Sequence, residues 1–372
     1  MTVAKRYNPD QSAASVLAGP QRGVMPNLTE QLVNDRLDHE LNLLRYAAGA
    51  NRRVRVLLYD LRDDLAGRLA KANLSATNET RLSAVLKDVQ GMISGGYGKI
   101  DALMTSQLGG LVATEAAALA KSVNKAVGVS IMDGLLPKAT INVLLRDTLI
   151  LGAPSSEWWL RQAGDLRFRF ATQIRLGMMQ GETNAQLISR VRAIDGLMGI
   201  SYKSAEALVR TSVMTVANRA ALATMQANRD TIAGMQQIST LDDRTTEVCI
   251  AYDRATWDID GNPTGNNKLP FNGGPPRHFS CRSVLVPITK TWRDMGIDVE
   301  EFKPGARAAM NGEAAGNATY SDWLKSRSEE MQNDILGKGK AEMWRAGKIT
   351  VQDLLDQSGR PMTLKQLQDK HA

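Results

Sequence analysis

Two short segments hold both cysteines of the chain and one of its three histidines. The first is Leu241-Asp242-Asp243-Arg244-Thr245-Thr246-Glu247-Val248-Cys249, and the second is Pro275-Pro276-Arg277-His278-Phe279-Ser280-Cys281-Arg282. They stand at the two ends of a Gly/Asn/Pro-rich excursion. His278 and Cys281 are three residues apart on one loop, a spacing that lets an imidazole and a thiol reach the same ion. With Cys249, and with Asp243 or its neighbour Asp242 supplying an oxygen, they make a four-coordinate set for zinc. An ion there would clamp an excursion poor in large apolar residues, in place of a core. Two other readings of the same residues stay open. The cysteines can be small buried apolar residues, with His278 bonded to a backbone carbonyl, or they can form a Cys249–Cys281 disulfide. Alternatively, one thiol with His278 forms a nucleophile–base pair, or the zinc keeps a water for hydrolysis.

The motifs carry a family likeness. Asp-x-Arg-Thr-x-x-x-Cys, then Trp257-Asp258-Ile259-Asp260-Gly261, then Pro-Pro-x-His-x-x-Cys-Arg, resembles the minor head proteins of tailed phages typified by protein F of phage Mu. Tyr320-Ser321-Asp322-Trp323-Leu324, Gln332, Ile335-Leu336-Gly337, Trp344-Arg345-Ala346-Gly347-Lys348 and Thr363-Leu364-Lys365-Gln366-Leu367 look like that family's closing segment. Val209-Arg210-Thr211 is a weaker match. The likeness runs from Ala205 to Leu367. It implies a non-enzymatic component of the virion head near the portal vertex, assembled in the host cytoplasm. It also implies portal, major capsid or scaffolding proteins as partners, with roles in head assembly and in genome packaging or delivery. The alternatives from other classes are a zinc-dependent or Cys/His hydrolase or nuclease, and a nucleic-acid-binding module.

Composition sets outer bounds. A hydrophobic share of 43% is ample for a core. No apolar run has the length of a membrane span, and Met1 to Pro20 lacks the apolar centre of a signal peptide. The formal charge of +7 permits nucleic-acid contact without demanding it. Arg161, Arg167, Arg169 and Arg175 lie along one segment opposed only by Asp165, and read as a stripe that could meet DNA phosphates, or as a solvated basic face. No nucleotide-binding loop and no Ser-His-Asp set stands out.

The expected fold is mainly α with a small α+β module. Residues 1–27, with Pro9, Pro20 and Pro26, read as an extended arm. Residues 28–150 read as an N-terminal helical bundle: one helix with Val33, Leu37, Leu41, Leu44 and Ala48 on a stripe, a break at Gly49-Ala50-Asn51, a second helix to Leu69, and a third ending at Gly95-Gly96-Tyr97-Gly98. Further helix follows from Ile100 to about Val129. His39 falls off the apolar stripe and reads as a surface residue. Residues 151–234 form a helical region, with a cap at Ser155 or Ser156, the Arg-rich helix, a capping box at Thr183 and a long helix from Ser201. Residues 235–290 form the Cys/His module, with strands at 235–241 and 284–288. Residues 291–372 are a polar connector and C-terminal helices.

Overall fold

In the computed structural model, the described residues are 28–371 apart from 73, 75–78, 194–195, 292–293, 296–305, 310–311 and 316–317. The expected arm at 1–27 lies outside them. Helices α1 (Leu28–Ala72) and α2 (Glu79–Val127) form one long antiparallel hairpin. Its register is marked by Arg68 on Asp88, the Tyr46 hydroxyl on the Gln107 carbonyl, and His39 on Glu115. Neither expected break occurs. Ala50 is fully buried and Asn51 nearly so, continuing a stripe of Leu43, Ala47, Val54 and Leu58. Gly96 sits against Leu61, whose side chain would lie 3.0 Å from an added Cβ. A helical glycine costs about 1 kcal/mol against alanine, which close helix packing offsets.

The stripe in the first turns also differs from the expected one. Leu41 is exposed, whereas Arg36 and Glu40 are buried at helical spacing between Val33 and Leu43. Charged residues at these core positions hid the true face. His39 is not a free surface residue: its Nε2 lies 2.8 Å from the buried Glu115, which also faces Arg36 at 3.8 Å.

A loop and α3 (Lys138–Asp147) lead to α4 (Ser155–Met179) and α5 (Asn184–Arg192). The cap of α4 is Pro154, with no side-chain cap bond, so neither serine serves; the capping box at Thr183 is present. Helix α6 (Leu197–Ala227) is buried on nearly all sides, the mark of a central helix. It packs on α1, α2, α4 and the sheet.

The sheet has the order β2-β1-β3, all antiparallel, with β1 (Ile232–Ile238), β2 (Thr256–Asp258) and β3 (Val284–Thr289). The first strand starts three residues earlier than expected, and Thr256–Asp258 adds a strand inside the region read as loop. Edge strand β3 tolerates Pro287, and Asn218 of α6 accepts from the Leu285 N–H. The connector carries a hairpin, β4 (Ala306–Ala309) with β5 (Gly312–Ala315). Four short helices follow: α8 (Tyr320–Lys325), α9 (Glu329–Leu336), α10 (Lys338–Arg345) and α11 (Leu364–Lys370). They share a second core with Leu241 and Ile250 of the module. No helix among the described residues is long and apolar enough to cross a membrane.

Candidate metal centre

The β1–β3 pairing builds the site. Ile238 stands opposite Val284, which brings Ser239 beside Ser283, their hydroxyls 3.0 Å apart. The Ser239 hydroxyl also bonds the Cys249 carbonyl at 2.8 Å. Cys249 lies on a short helix, α7 (Glu247–Tyr252), that follows Thr246. Asp253 closes that helix, accepting from the backbone N–H groups of Ser239 and Tyr320. Cys281 and His278 arrive from the other side on the turn before β3, where Ser280 takes a φ of 59° and its N–H bonds Thr211 of α6. Phe279 packs edge-on against Trp158, ring centres 5.3 Å apart. The hydrogen-bonded pair of strands therefore holds both sequence segments together at their roots.

Cys249 Sγ lies 3.2 Å from His278 Nε2 and 3.5 Å from Cys281 Sγ. The three candidate ligand atoms all lie within 4.8 Å of one another, with both cysteines buried and not joined by a disulfide. Zinc with bonds of about 2.3 Å to sulfur in tetrahedral geometry sets two sulfurs roughly 3.8 Å apart, so the spacing needs little adjustment. His278 Nδ1 is 2.9 Å from the Phe279 carbonyl. Donation there fixes the proton on Nδ1 and turns the Nε2 lone pair toward the sulfurs, as ligating histidines are commonly held. The residues present thus fit a Cys₂His ion. The two thiols differ. The Cys281 thiol is held well below the ordinary range by its bond with Cys249 and then by His278, against burial, while the same bond and burial raise Cys249. Cys281 is fully buried, which suits a ligand.

Asp243 is exposed and is not among the three grouped residues. Asp242 is engaged elsewhere. It forms a bidentate pair with Arg282, one bond at 2.7 Å, and accepts from Thr245 and from the Arg244 N–H. Burial works to raise its carboxyl, but these bonds lower it overall. Asp242, Thr245 and Arg282 therefore form the turn that ties the two segments. The excursion is also better packed than its composition implies. Trp257 is fully buried, stacked on Tyr252 and edge-on to Phe271, and its indole N–H bonds the Leu269 carbonyl.

Sequence reading missed Glu40, which reaches behind the site from α1. Burial pushes its carboxyl up to about 8 from an ordinary value of 4.5, against the lowering pull of Arg282 and Arg210. Only the charged side chain inside an apolar helix stripe could have signalled it. The charged form is penalised in the folded state, so the cost is absent below pH 4.5, grows with pH and is complete above about 8. Glu40→Gln is expected to raise Tm relative to the parent at pH 8 and to leave it unchanged near pH 4. A lower Tm at pH 8 would mean that the carboxylate is charged and paired.

The four arginines of α4 do not share one face. Arg167 and Arg175 line a groove with Lys87 of α2, exposed Arg161 lies over Trp158, and Arg169 bonds Ser201 of α6 at 2.9 Å.

Comparison with known families gives a match to the model described as phage Mu protein F like protein, over residues 169–286. Neither curated proteins nor solved structures give a match. The matched stretch begins earlier than the likeness read from the motifs, inside α4, and ends in β3, so the C-terminal segment lies outside it. It contains α6, β1, β2, the first half of β3 and all three of Cys249, His278 and Cys281. That family is one of phage head-morphogenesis proteins. The Cys/His module with its supporting helices, residues 169–286, is thus similar to phage Mu protein F like protein, which supports a Mu F-type head protein.

Proposed function

We propose that this chain is a structural minor component of a tailed-phage head, placed near the portal vertex and acting in procapsid assembly and in genome packaging or delivery. The family match over the module is the observation that carries this reading. The portal and the major capsid or scaffolding protein are its partners, and it works without turnover. In the module, Cys249, His278 and Cys281 hold one structural zinc, which supplies a fixed cross-link between α7 and the turn before β3. The fourth position falls to water or to a side chain that moves in, Asp243 being the acidic candidate on the neighbouring turn. The groove arginines Arg167 and Arg175, with Arg161, supply weak, salt-dependent contact to phage DNA.

Docking is assigned to residues 1–27 and the first helices, because a sequence with Pro9, Pro20 and Pro26 and no helical period has no core of its own and would order on a partner. Heads assembled with a chain lacking residues 1–27 are expected to exclude a protein whose circular dichroism is otherwise intact. Normal incorporation of that chain would move docking to another surface. The hydrolase alternative is separated by the same preparations: plasmid cutting that disappears in His278→Ala would replace the structural reading with an enzymatic one.

A further inference from the structure

A second site lies next to the Cys/His cluster, on the far side of the Pro-Pro-Arg turn. Five segments enclose a cleft of about 500 Å³: the loop before α4, helices α6 and α7, the turn at 272–277, and the turn at 359–361. Three arginines line it and no carboxylate does. Arg219 of α6 makes no hydrogen bond or ion pair among the described residues. Its guanidinium lies against Gly273, where an added Cβ would come within 2.7 Å of Nη2. The glycine, at a φ of 78°, gives the turn its shape and leaves room for that charge. Burial alone lowers the Arg219 guanidinium, with no acidic neighbour to offset it.

Arg277 is positioned rather than neutralised. Its Nε donates to Gln237 at 2.8 Å, its Nη2 to the Phe271 carbonyl at 3.3 Å, and its guanidinium stacks 3.3 Å from the Tyr252 ring centre. All three partners are uncharged. Arg360 is exposed on the rim, on a turn in which Asp356 accepts from the Ser358 and Arg360 N–H groups. Asp356 thereby shapes the turn and presents Arg360 toward the cleft. A half-buried arginine without a counter-ion, flanked by two more, lacks the anion that its environment calls for. The planar guanidinium fork matches a phosphate better than a spherical anion such as chloride.

We propose that this cleft binds a phosphate group, with Arg219 as the principal ligand and Arg277 and Arg360 beside it. The proposal does not depend on the metal or on the head role. The phosphate can belong to inorganic phosphate, a mononucleotide or a nucleic-acid backbone, and the test separates these sources. The full chain is melted with increasing inorganic phosphate, dTMP or a ten-residue oligothymidylate, each at constant ionic strength set with chloride. At a hundredfold excess over Kd, binding is expected to raise Tm by about 4 °C for a chain of this size. The general stabilising action of phosphate as a solute would persist in any variant, so the comparison is with Arg219→Gln and, on the exposed rim, Arg360→Gln. The proposal predicts that Arg219→Gln removes the shift and that Arg360→Gln reduces it, for whichever source binds. Equal binding of phosphate and dTMP would identify the free group as the ligand; binding of the oligomer alone would identify the backbone. No shift with any of the three, or a shift that both variants retain, overturns the site.

Discussion

A chain ending before Ala318 is expected to lose the folded Cys/His module. The C-terminal helices are not an appendage. Leu241 and Ile250, both buried, share their core with Tyr320, Trp323, Leu324, Leu336 and Trp344. Uncovering two such side chains costs roughly 3–6 kcal/mol, a large part of the stability of an ordinary domain. The truncation also removes the Tyr320 N–H from Asp253, the Tyr320 hydroxyl from the Asp242 carbonyl, and Lys340 from Glu247. All three bonds hold the segment that carries Cys249. The long hairpin of α1 and α2 retains its own contacts, so the truncated chain should keep helical circular dichroism while its Trp257 fluorescence becomes that of an exposed indole. A truncated protein with parent-like Trp257 emission and an unchanged melting profile would show that the module stands without its C-terminal cover.

The second large effect concerns the metal. The purified protein is expected to carry about one zinc per chain, and Cys281→Ser to carry none. Zinc at a thousandfold excess over Kd contributes about 4 kcal/mol, or a Tm shift of about 5 °C for a chain of this size. Cys281→Ser should therefore lower Tm by that amount in the zinc-loaded protein and by much less after chelation. Elemental analysis beside melting curves, with and without chelator, makes the comparison. Absence of zinc from both proteins, with equal melting, would leave Cys249, His278 and Cys281 as a packed, hydrogen-bonded cluster stabilised without an ion. The aromatic core around Trp257 makes that outcome physically possible, since the excursion does not rely on a metal for all of its packing.

How much of this was legible in the sequence differs by element. The grouping of Cys249, His278 and Cys281 was, because cysteine and histidine are scarce here and their spacing stands out. So was the Thr183 capping box, a local signature with a local cause. The pairing of Asp242 with Arg282 was not legible, because nothing local shows that they join each other across the two segments. The long hairpin was hidden because Gly49 and Gly95-Gly96 look like punctuation, and only the partner helix reveals Gly96 as the place where Leu61 fits. Glu40 was hidden for the opposite reason, since a charged residue in a helix reads as solvated until tertiary packing buries it. Helix α7 and strand β2 are too short for periodicity to register: β2 is set by its pairing with β1, and α7 packs on the distant turn Gln352–Leu354.

The central claim is that this chain is a component of phage heads, and the protein content of purified particles tests it most directly. Procapsids and filled heads, separated by density and analysed by quantitative mass spectrometry, are expected to contain the full chain at a few copies per particle, in constant ratio to the portal. Its absence from particles at every stage of assembly, with the chain present in the lysate, would contradict the account.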